Sequence, residues 1–111
     1  MRYLMLSGTG DNEPDETLYV EMGKFVEELS KQGVLLATGG LDPVGTRVTS
    51  VGGEISFTDG PFSEAKEAIG GFALVEVRSK EEMIEISRRF WKIVGDGQGR
   101  VHQVYGPEDA Q

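Results

Sequence analysis

The chain contains no cysteine. That excludes disulfides, thiolate nucleophiles and cysteine-bound zinc. It contains a single histidine, His102, which excludes a multi-histidine metal site within one chain. Carboxylates are then the only metal ligands left, and they suit hard ions at best. No metal or cofactor is expected. Basic residues are also few: eleven Lys and Arg stand against nineteen Asp and Glu, for a formal net charge of -8. Only Arg88 and Arg89 are adjacent. A phosphate-binding surface needs clustered cations, so direct nucleic-acid binding is not expected. Long apolar runs are absent too. The opening MRYLMLSGTG is broken at Ser7 and Gly8, which fits neither a signal peptide nor a membrane span. A cytoplasmic address and no membrane partner are the expectation.

What is present suffices for one domain spanning residues 1–111. Tyr3 to Leu6 reads as a short buried strand. A helix is expected from about Asp15 to Gln32. Leu18, Met22, Phe25, Val26 and Leu29 form its apolar stripe, opposite Glu21, Lys24, Glu28 and Lys31. Asp15 suits the N-cap and Gly33 the left-handed position past the end. Val34 to Thr38 reads as a second strand that Gly39-Gly40 ends. TRVTSV and EISFTD flank Gly52-Gly53, a two-residue loop suited to a type I′ turn. That loop sets a register. Val51 faces Glu54, Ser50 faces Ile55, Val48 faces Phe57, and Arg47 faces Thr58. The hairpin then has one face of Val48, Ser50, Ile55 and Phe57, and one largely polar face. Phe62 to Gly71 reads as an irregular loop, with one helical turn at Ser63–Ala68. Phe72 to Val77 is a strand. Ser79 and Glu82 form a capping box that opens a helix to about Val94. Arg100 to Tyr105 is the last strand, before a polar tail.

The order β-α-β, hairpin, β-α-β predicts an α+β, ferredoxin-like fold with an inserted β-hairpin. Such a sheet carries both helices on one face. Yet several strands are apolar on both sides, so something must cover the second face. A homodimer packed through the helix-free face is expected.

The run TDGPFSEAKEAIGGFALVEV, Thr58 to Val77, resembles the signature of the DGPF-motif proteins of the YCII-related family. The opening YLML, the VLLATGGL after a helix-ending glycine, the TRVTSVGGE hairpin and the C-terminal strand agree with it. The resemblance spans about the whole chain. It implies the dimeric α/β-barrel variant of the ferredoxin-like fold. Most members of the family have no assigned reaction. The wider group includes a small dehydrochlorinating lyase acting on a muconate-like acid. Some members are joined to, or encoded beside, extracytoplasmic-function sigma factors, which implies such a link here. The enzyme-like branch uses a His on the first helix and an Asp after the second strand. Asp42 stands where that acid would be, as a substrate-binding candidate. The first helix has no His, and Met22 stands at about that place.

The residues themselves offer a second site. Asp59, in DGPF, ends an amphipathic strand. It is either a turn former or a general base beside a pocket. Arg47 faces Thr58 and can reach Asp59. The three form either an exposed ion pair or a cluster able to hold a small carboxylate, with Arg47 as bidentate partner. Lys66 either adds positive charge there or lies on a solvated face. His102 is either a packed interface residue or the one side chain suited to acid–base work near neutrality. Asp59 and His102 are thus the candidate catalytic groups. Arg47, Thr58, Lys66 and Asp42 are the candidate substrate-binding groups. The function expected is a small homodimeric binding or regulatory module. The alternative is a lyase or isomerase-like enzyme acting on a small carboxylic acid.

Overall fold

A computed structural model of the chain describes residues 1–8, 15–42, 44–60 and 69–109. Strand β1 is Arg2–Gly8 and helix α1 is Glu16–Lys31. Asp15 Oδ1 accepts from the Leu18 amide at 2.8 Å and so starts α1. Gly33 ends it at φ 73°, a conformation in which a side chain would be strained. Strand β2 is Leu35–Gly40, and β3 (Thr46–Val51) and β4 (Glu54–Asp59) make the hairpin. Strand β5 is Ile69–Glu76, α2 is Lys80–Val94, and β6 is Gly99–Val104. A short 3-10 turn, Pro107–Asp109, sits in the tail. Ser79 Oγ accepts from the Glu82 amide at 3.1 Å and caps α2. The Glu82 carboxylate reaches back to the Arg78 amide at 3.4 Å, one residue beyond the cap itself.

β2, β5, β1 and β6 lie side by side in that order, every neighbouring pair antiparallel. The two helices cover one face. Their Phe25, Leu29, Met83 and Ile86 bury with Tyr3, Val75 and Val77 as the core. Several strand ends differ from the expectation, two of them at glycine pairs. Gly39 and Gly40 do not end β2; they pair with Phe72 and Gly71. β5 likewise starts at Ile69 rather than Phe72. Ladder pairing outweighs the weak strand propensity of glycine here. The remainder of the expected loop, including its helical turn and Lys66, lies outside the described residues.

The barrel-type fold, expected as a dimeric α/β barrel of ferredoxin-like plan, is corrected by the structure. The chain is a mixed α+β fold with two sheets, one of four strands and one of two. Neither closes. Closure requires the edge strands to pair, but β2 and β6 lie at opposite edges of the larger sheet. β3 and β4 pair only with each other, in the register Arg47–Thr58, Val48–Phe57, Ser50–Ile55 and Val51–Glu54.

One ion pair ties the helices together. Arg89 donates to the Glu28 carboxylate at 2.6 Å, and its guanidinium lies 4.8 Å from the centre of the Phe25 ring. The hydrogen bond and charge of Arg89 hold Glu28 below the ordinary glutamate range. A lowered native pKa contributes stability above the unfolded pKa, and loses it as pH falls through the native one. Urea midpoints of the wild type and Glu28→Gln should therefore differ at neutral pH and converge in acid. The difference is expected to be small, because both side chains are about half exposed.

Candidate functional site

The sheet narrows in side-chain volume along its length. Side chains on the helix-facing side come in rows across the four strands, set by the register. The first row is Leu35, Val75, Tyr3 and Gln103. Next comes Thr38, Ala73, Met5 and Val101. The third is Gly40, Gly71, Ser7 and Gly99. The first row fills the space beneath the helices. The third has almost nothing to fill it with.

The result is a cleft of about 320 Å³ between helices and sheet at the glycine-rich end. Met22, Phe25 and Val26 of α1 form one wall, and Phe90, Trp91 and Val94 of α2 the other. Trp91 lies close against Gly97 and Gly99, at the entry into β6. A Cβ on Gly97 or Gly99 would meet its ring at 2.8 Å. Phe90 and Trp91 meet edge to face, with centroids 5.2 Å apart. Leu6, Phe72 and Arg100 also border the cleft. The pleat directs their side chains to the other face of the sheet.

Three hydroxyls punctuate this apolar lining. Thr38 Oγ1 donates to the Phe72 carbonyl at 2.9 Å. Ser87 Oγ donates to Met83 Sδ at 3.6 Å. The Ser7 hydroxyl has no hydrogen-bond partner among the described residues. It is the hydroxyl left to engage a ligand. Such a site can desolvate and orient a small ring and hydrogen-bond one of its oxygens. Among the described residues no group of three or more His, Asp or Glu could hold a metal ion.

The candidates chosen from sequence lie elsewhere. Arg47, Thr58 and Asp59 come together at the exposed base of the hairpin, where Thr46 Oγ1 donates to Asp59 Oδ1 at 2.8 Å. Asp42 accepts from the Val44 amide at 2.9 Å and shapes the loop leading there. The Gly60 amide bonds the Gly45 carbonyl at 2.7 Å and closes the base. His102 pairs across from Leu4, on the helix-free face. None of these five lines the cleft. Met22, at about the place where the resemblance implies a histidine, does line it.

Ser7, Trp91 and the glycine row were missed because each looks ordinary alone. One signal was available. Ser7 continues the inward alternation of Tyr3 and Met5, so it is a polar residue at a core-facing position.

Comparisons with known proteins give three findings. No curated protein matches the chain. A solved structure, the 5-chloro-2-hydroxyhydroquinone dehydrochlorinase of Burkholderia phenoliruptrix in complex with 2,5-dihydroxybenzoquinone, is similar over 100% of both chains, at 14% identity and a TM-score of 0.51. That likeness is one of fold. The model of the YCII-related domain matches residues 1–93. The match covers most of the chain, from β1 almost to the end of α2, and the chain belongs to the YCII-related domain family.

Proposed function

We propose that the protein binds a small, flat, oxygenated ring in the cleft and acts on it as a lyase or isomerase of the dehydrochlorinase kind. The observation that carries the reading is the shape of the cleft: a floor of Gly71, Ser7 and Gly99 between aromatic walls. An apolar cavity of about 150 Å³ already holds benzene. The cleft here has room for a ring with several substituents. The free Ser7 hydroxyl favours a ligand oxygen above it, since a donor left without a partner on binding would cost affinity. The fold likeness to a dehydrochlorinase supports the reaction class.

An elimination of that class needs a proton acceptor and release of halide. No carboxylate or imidazole among the described residues lines the cleft, so the acceptor in this reading is solvent or a ligand oxygen.

Trp91 is the only tryptophan and lines the cleft, so its fluorescence reports occupancy. Titration with 2,5-dihydroxybenzoquinone should quench it saturably. Chloride release from a chlorinated hydroxyhydroquinone should accompany turnover. Quenching linear in concentration, as for free tryptophan, would remove the binding site. Saturable quenching without chloride release would leave a binding module and remove the reaction.

A further inference from the structure

The cleft runs further under the helices than its glycine floor. Successive rows of the sheet are two residues apart, or ~6.6 Å, so Ser7 lies ~13 Å from the row of Tyr3 and Val75. Val75 and its row neighbour Leu35 still line the cleft, together with Leu29 and Ile86. Exposure falls along this length. Gly99 is exposed and Ser7 half-buried, whereas Leu29, Val75 and Ile86 are 4%, 1% and 7% exposed. The glycine end is therefore the mouth, and the Val75 end is closed.

Polarity falls in the same direction. The Ser7 hydroxyl stands at the mouth. Further in, the hydroxyls of Thr38 and Ser87 are already engaged, with the Phe72 carbonyl and Met83 Sδ. The closed end presents only the aliphatic side chains of Leu29, Leu35, Val75 and Ile86. A polar group pushed to that depth would lose its water with nothing in exchange. Volume agrees. A cavity of about 150 Å³ holds benzene, so the cleft of about 320 Å³ keeps roughly 170 Å³ beyond one bare ring. At that room per carbon, the oxygens of the ring and about three to five further carbons fill it.

We propose that the ligand is an amphiphile: a hydroxylated ring at the mouth, bearing a linear alkyl substituent that reaches the Leu29–Val75–Ile86 end. This rests on the ring-binding reading above and adds the class of substituent. A bare ring would leave the closed end without contacts on one side, whereas an alkyl chain supplies them. Ala73 sets the passage between the two parts. It lies in the middle row, half-buried between Thr38 and Met5, and its methyl leaves the way inward open. A larger side chain there would divide the ring end from the chain end.

The test is a binding series read by Trp91 quenching: 2,5-dihydroxybenzoquinone and its 3-methyl, 3-propyl, 3-pentyl and 3-undecyl derivatives. Affinity should rise about fourfold per added methylene, the usual gain for burying one, and so about tenfold or more from methyl to propyl. The heat-capacity change of binding should grow more negative over the same steps. An undecyl chain outruns the closed end and should bind no tighter than pentyl. Ala73→Leu should flatten the series, so that methyl, propyl and pentyl compounds bind alike. Saturable binding of the unsubstituted ring with no gain from methyl to propyl would overturn the proposal and leave the ring-binding reading standing. A gain that continues to undecyl, or that persists in a folded Ala73→Leu, would also overturn it, since the chain would then lie on an open apolar surface. No saturable quenching by any member would remove the ring-binding reading, and this proposal with it.

Discussion

Gly99→Ala should destabilise the fold by about 2–3 kcal/mol, in the upper range for overpacked sites. A Cβ at this position would stand 2.5 Å from the Leu6 carbonyl oxygen and 2.8 Å from Trp91 Cζ2. The first obstacle is backbone in the neighbouring strand, so it cannot rotate away. The second is a ring already held against Gly97. Relief therefore means moving β6 from β1 or lifting Trp91 from the sheet. Gly23→Ala is the natural control. Gly23 lies in α1 with nothing within 4 Å of the added methyl. There, alanine should stabilise the helix by about 0.5–1 kcal/mol. Urea denaturation of both variants gives the comparison. Equal effects would mean that the packing at Gly99 is looser than described. A large loss is a serious matter for a domain this small, whose total stability is of order 5–15 kcal/mol.

Ser7→Leu should weaken ligand binding about 100-fold while leaving the fold in place. Ser7 is half-buried and stands between Gly71 and Gly99, with open cleft above it. A leucine there projects into that space, so overpacking of the core is mild and stability should change by no more than about 1 kcal/mol. Binding loses twice. The hydroxyl proposed to meet a ligand oxygen is gone, worth about 0.5–1.5 kcal/mol. The branched side chain also occupies the plane in which a ring would lie. Together these should weaken binding about 100-fold, or roughly 2.7 kcal/mol. Ser7→Ala separates the two effects, because it removes only the hydroxyl and should cost no more than about tenfold. Saturable quenching of Trp91 that survives unchanged in Ser7→Leu would place the ligand elsewhere.

Local features of the fold were legible because their signals are local. Asp15 and Ser79 mark helix starts that the structure reproduces at the same residues. Gly52 and Gly53 mark the hairpin, and both have positive φ, 58° and 85°. That turn alone carried the register of β3 on β4. The closed form did not follow, because closure depends on which edges meet, and no short stretch of chain encodes that. The cleft was illegible for a related reason. Its floor is Gly71, Ser7 and Gly99, with Gly39 at the border, and these belong to four separate strands. Read along the chain, Gly39-Gly40 and Gly70-Gly71 look like stops. Only pairing across the sheet turns them into a floor. Reasoning from charged residues led to Asp59, Arg47 and His102, whereas the space itself comes from side chains that are absent.

The taper of the sheet also bears on motion. Its wide end is bolted by Tyr3, Val75 and Leu29, each about 5% exposed or less. Its glycine end has little apolar contact to lose on opening. Such ends open locally at a fraction of the global free energy. Amide hydrogens between Tyr3 and Val75 should then exchange only when the whole domain unfolds, while those near Ser7 and Gly99 exchange through brief separations of β1 from β6. The same breathing would let a ligand in past Trp91 without a dedicated lid. A bound ring would replace the absent side chains and bring the exchange rates of the two ends together. In that sense the ligand completes a core that the chain leaves one row short.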